Sequence, residues 1–76
     1  MNLADLLMTT RQTAGLTQEQ LAQLVGTTQR SISLLENDKV LPEVRTLSYF
    51  CQALNIPSEA AASAYALSVK RRLETP

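Results

Sequence analysis

Apolar positions recur along the chain at helical spacing, and no stretch alternates in the manner of a strand. Leu3, Leu6, Leu7, Thr10, Arg11 and Ala14 keep the i, i+3, i+4, i+7 spacing of one helical face, with Gly15 as a fitting stop. A first helix is therefore expected over about Leu3 to Ala14. Thr17 and Gln20 form a capping-box pattern, in which the hydroxyl accepts from the third amide while the Gln side chain reaches back to the cap. The second helix then starts at Gln18, carries Leu21, Ala22, Leu24 and Val25, and stops at Gly26, the residue that enters left-handed backbone geometry most cheaply. Thr28 can cap a third helix over about Gln29 to Asn37. After the loop "DKVLP", Pro42 helps to set a fourth helix, about Val44 to Leu54, whose stripe is Leu47, Phe50, Cys51 and Leu54. Asn55 and Pro57 end it, and Ser58 can cap a fifth helix through about Leu73, within the segment 58–74. The pattern predicts an all-α, compact five-helix single domain spanning 1–76.

The corner between the second and third helices is short. A turn of this kind, with Gly, joins two helices at a steep angle and makes the segment 17–37 a helix-turn-helix. Around the third helix, Thr28, Ile32, Leu35 and Glu36 cluster on one side, whereas Arg30, Ser33, Leu34 and Asn37 occupy the other, with Gln29 at the tip. A polar outer face is ordinarily a solvated surface. Here the turn props the helix outward, and a protruding helix fits the ~12 Å wide DNA major groove, where Gln, Arg and Ser match base edges and Leu meets a thymine methyl. Lys39 and Arg45 can reach phosphates from the following segments, and the amides near Gln18 can hold another at a positive helix end. Arg11 and Glu36 both fall on inward faces, where either charge alone would be costly, so they should form a buried ion pair.

Composition narrows the function. Seven basic and seven acidic side chains leave a formal net charge of zero, so any polyanionic partner must be met by a local patch. With one cysteine and no histidine, an internal disulfide is excluded and the commonest general base and metal ligand is missing. No paired carboxylates, metal cluster or activated nucleophile is evident, so neither catalysis nor a cofactor is expected. No apolar run approaches the ~18 residues of a membrane span, and the expected location is cytoplasmic. Cys51, on the apolar face of the fourth helix, reads as a small core residue. Lys70, Arg71 and Arg72 suit the negative end of the fifth helix or, alternatively, form a patch for DNA or a partner.

Taken in order, Arg11, Gly15-Leu16-Thr17-Gln18, Leu21-Ala22, the corner Gly26, and Ile32-Ser33 before Leu35-Glu36 resemble the lambda-type repressor and Cro helix-turn-helix family, also called the xenobiotic-response-element family. Pro42 and Thr46-Leu47 extend the likeness, which covers about Leu3 to Ile56. The resemblance implies a lambda-repressor-like domain that binds double-stranded operator DNA as a dimer, with the third helix in the major groove. It assigns Gln29, Arg30, Ser33 and Leu34 to base contacts and Gln18, Asn37, Lys39 and Arg45 to phosphate contacts. The same pairing of Arg11 with Glu36 is implied. The chain departs from the family pattern at Asp38, where Gly is usual, and Asp enters left-handed geometry less readily than Gly.

These residues predict a sequence-specific DNA-binding transcriptional regulator, a repressor by resemblance. Three settings share the pattern: a repressor or Cro of a phage or mobile element, a restriction-modification controller, and an antitoxin that also binds a toxin protein. A module that keeps the fold to bind proteins instead of DNA is the competing class, favoured by the zero net charge and by Asp38. The stripe Ala62, Tyr65, Ala66, Val69 and Leu73 either packs back on the first and fourth helices or supplies, through Tyr65, Val69 and Leu73, the interface of a homodimer.

Overall fold

Short polar side chains start most of the helices and left-handed residues stop them. The computed structural model describes residues 1–74, in which α1 is Leu3–Thr13, α2 Gln18–Val25, α3 Gln29–Glu36, α4 Val44–Leu54 and α5 Ser58–Glu74, with no strand among the described residues. Asn2 caps α1 through its side-chain oxygen, which accepts from the Asp5 amide at 2.9 Å. The full capping box forms on α2: Thr17 Oγ accepts from Gln20 N at 3.0 Å and Gln20 Oε1 from Thr17 N at 2.9 Å. Thr28 caps α3 by accepting from Ser31 N at 3.1 Å.

The stops are equally local. Gly26 sits at φ 75° between α2 and α3, and Asn55 at φ 56° closes α4. Beyond α3, Lys39 N donates to Leu34 O at 2.9 Å and Asp38 N to Leu35 O at 3.2 Å, the paired bonds of a Schellman motif, with Asp38 left-handed at φ 58°. The same motif closes α1 through Gly15 and Leu16.

The core lies where α1, α2, α3 and α4 converge, with Leu3, Leu7, Leu21, Ile32 and Phe50 almost wholly buried. Phe50 is its fully buried aromatic, Tyr65 packs against its margin, and burial of aliphatic side chains worth ~1.5–3 kcal/mol each supplies the rest. Cys51 is half-buried at the margin of this cluster, and burial pushes its thiol pKa up, away from a reactive thiolate.

Three sequence expectations change. Ala14 is exposed beyond the end of α1, and Ala4 joins Leu3 and Leu7 inside instead. Ser58 is the first helical residue of α5 and not its cap, since Pro57 O already accepts from Ala61 N at 3.1 Å. The buried face of α5 is Ala61, Ala64 and Ser68, rotated from the expected stripe: Tyr65 and Val69 are half-buried, Ala62 and Ala66 are exposed, and Leu73 is 82% exposed.

That rotation brings Ser68, 1% exposed, against the start of α1, where its Oγ accepts from Leu3 N at 2.9 Å. The first amides of a helix have no partner within it. A side chain 65 positions away supplies one here. Replacing Ser68 by Ala leaves a buried amide unsatisfied, and the expected loss is ~1–3 kcal/mol, measured as a lower midpoint in urea unfolding at unchanged slope. An unchanged midpoint would mean that water takes over the bond.

Candidate nucleic-acid interface

The outward tip of the helix-turn-helix is tied to the core by a run of four polar side chains. Arg11 Nε and Nη2 donate to the two oxygens of Glu36 at 2.7 and 2.9 Å, a bidentate pair whose side chains are 12% and 3% exposed. The third donor, Nη1, reaches Leu16 O at 2.8 Å in the α1–α2 loop. Gln18 Nε2 donates to Glu36 Oε1 at 3.1 Å, and its Oε1 accepts from Gln29 Nε2 at 2.7 Å. The chain of bonds thus runs from α1 through the end of α3 and the start of α2 to the first residue of α3. The bond to Glu36 raises the Arg11 pKa above its ordinary value.

This geometry follows from local sequence. The αL turn at Gly26 and the cap at Thr28 set α3 across α2, so the N-termini of the two helices, with Gln18 and Gln29, come side by side. Ile32 and Leu35 anchor the inner face of α3, leaving Gln29 and Arg30 exposed at its first turn. One turn on, Asn37 Nδ2 donates to Ser33 O at 2.8 Å and lies near Ser33 Oγ at 3.3 Å, so these two residues continue the same polar face.

The sequence-assigned residues separate into groups. Gln29, Arg30, Ser33 and Asn37 share the outer face of α3. Leu34 is only half exposed, lining a shallow depression with Val40, Leu41 and Pro42, so part of its surface faces its own loop. Lys39 and Arg45 are exposed, outside the polar network. Gln18 is half-buried and its amide is occupied on both sides within the protein. What remains at its helix start is the positive end of α2, with the Gln18 and Glu19 amides in the first turn.

Two of the contacts that sequence reasoning missed differ in how they could have been found. The Gln18–Gln29 bond had a signal, since a Gln heads each of two helices whose starts a tight corner juxtaposes. The other had none: Arg72, near the end of α5, donates through Nη2 to Asp38 O at 3.1 Å, with 3.5 Å to the Asp38 carboxylate. Among the described residues no group of His, Cys, Asp or Glu is arranged to hold a metal ion.

Residues 2–65 match the helix-turn-helix domain family. No curated protein and no solved structure matches the chain significantly.

Removing one partner of a buried pair leaves the other charge uncompensated, at a cost of ~3–5 kcal/mol. Arg11→Met strands Glu36, loosens Gln18 and is expected to lower the denaturant midpoint steeply. Equal stability of mutant and wild type would mean that the pair contributes nothing to the fold.

Proposed function

The chain belongs to the helix-turn-helix domain family, and from that premise we propose that it is a sequence-specific transcriptional regulator, a repressor of the lambda and Cro type, that reads operator DNA with α3 in the major groove and works by binding alone. DNA is the partner that the helix-turn-helix architecture serves. The observation that carries the reading is the Gln18–Gln29 bond anchored on Glu36. It fixes a flexible amide side chain at the presented tip of α3, and a pre-oriented Gln is the group suited to bidentate contact with adenine. Arg30 and Ser33 lie on the same face, and Lys39, Arg45 and the start of α2 are available to phosphates on either side. Zero net charge is compatible with this, because the contact needs only a local arrangement of cations. The proposed setting is the cytoplasm; no helix among the described residues is long and apolar enough to cross a membrane.

Operator binding is proposed to involve a twofold dimer. A twofold dimer would set two recognition helices about one DNA turn, ~34 Å, apart, a span comparable to the 33 Å longest extent of the described residues. Leu73 at 82% exposure is the member of the sequence-assigned interface that is open to a second copy. Tyr65 and Val69, being half-buried, contribute their edges.

Two measurements test the reading. Selection from a random DNA pool should return a roughly palindromic site, and affinity for it should fall steeply with salt, with a log-log slope near 0.9 per neutralised phosphate. On that site Gln29→Ala should cost ~1–3 kcal/mol and relax preference at one position, whereas Lys39→Ala should weaken all DNA about equally and reduce the slope by about one. Failure of the wild type to bind any duplex at low salt would transfer the protein to the class of protein-binding modules. A wild type that stays monomeric on DNA in sedimentation would eliminate the dimer.

A further inference from the structure

Asp38 is a poor choice for its position on two counts. Its backbone is left-handed at φ 58°, where Gly is unstrained. It also places a carboxylate directly after α3, between Asn37 and Lys39. An eight-residue helix spans about 12 Å, comparable to the ~12 Å width of the major groove. With α3 in the major groove, the residues just past its end would emerge beside a phosphate strand, and an uncompensated carboxylate there would repel the backbone that Asn37 and Lys39 are proposed to meet.

The fold supplies a compensation from the far end of the described chain. Ser68, buried and bonded to Leu3 N, fixes the rotation of α5, and Arg72 lies one turn further along the same face. From there its guanidinium bonds the Asp38 carbonyl at 3.1 Å and approaches the carboxylate at 3.5 Å. The two side chains are 38% and 35% exposed, so solvent screens the pair and it adds little to folding stability. A contact that holds a loop and cancels a charge, yet hardly stabilises the fold, has its effect where that loop is used.

Resting on the DNA-binding reading above, we infer that Arg72 is a positioning residue for DNA binding, reaching from α5 to neutralise and hold Asp38 so that Asn37 and Lys39 can approach the phosphate backbone. The clasp makes α5 part of the DNA-binding unit without requiring Arg72 to touch DNA. It also sets the two readings of the Lys70-Arg71-Arg72 run in order, since its last member is engaged by the α3–α4 loop.

The test is a mutant cycle read by fluorescence anisotropy on two duplexes, one recovered by selection with the wild type and one scrambled. Arg72→Met should weaken both roughly fivefold, as for loss of a rim charge, while the urea midpoint hardly moves. Arg72→Lys, which keeps the charge, should retain most of the affinity. Combining Arg72→Met with Asp38→Gly removes the liability together with its remedy, and should restore wild-type affinity and salt slope. Wild-type affinity in Arg72→Met overturns the inference, and so does a double mutant that stays weak with its salt slope reduced by about one, because Arg72 would then contact a phosphate directly. If Arg72→Met fails to fold, Asp38→Gly alone decides: binding at least as tight as wild type supports the role, and weaker binding overturns it. A wild type that binds neither duplex defeats the DNA-binding reading itself, whereas a wild type that binds and an Arg72→Met protein that matches it defeat only the clasp.

Discussion

The position of Gln29 at the tip of α3 depends on one desolvated carboxylate. Glu36 is 3% exposed at the inner end of α3 and would be costly there without Arg11. Because the guanidinium is planar and rigid, the two-point bond to Glu36 fixes angle as well as distance. That orientation leaves Glu36 Oε1 able to accept from Gln18, and Gln18 able to receive Gln29. A hydrophobic replacement of similar volume could fill the space, but it could not hand a direction on to the next side chain. Here the ion pair serves as a reference point for the position of a surface amide.

The rest of the core supports that arrangement with little material. Phe50 and a set of Leu, Ile and Ala residues bury the inner faces of the helices, while Gly26 fixes the angle at which α3 leaves α2. In so small a domain, capping and turn geometry govern the outcome as much as packing, since one lost cap is worth ~1 kcal/mol against a total of ~5–15 kcal/mol. Each helix start near the polar face is capped by a side chain or reserved as a positive end. Of the outer face of α3, Gln29 and Asn37 are thus held in direction by bonds within the protein.

The features legible in the sequence were those written within a few residues of each other. Thr17 with Gln20, Thr28, Gly26 and Asn55 mark their helix ends by local chemistry, so four of the five segments were readable from their caps and spacing. Arg11 and Glu36 were readable because a charge on an apolar face calls for a partner. Helix α5 was placed correctly along the chain, but its buried face was misread because alanines lie on nearly every side of it. Where Ala60, Ala61, Ala62, Ala64 and Ala66 all qualify as apolar, periodicity does not choose a face, and the choice falls to Ser68 and its distant amide. A serine in such a helix carries no local signal. The Arg72–Asp38 contact was hidden for the same reason, since it exists only once that face is known.

The Ser68–Leu3 bond has a consequence for the order in which the fold can close. Helix α1 precedes α5 in the chain, yet the amide at its head is satisfied by a hydroxyl 65 residues further on. Local capping alone leaves that amide without a partner, and only the docked α5 supplies one. The start of α1 and the body of α5 are thus secured together, so whatever loosens α5 also frays the first turn of α1, although the two lie far apart in the described sequence.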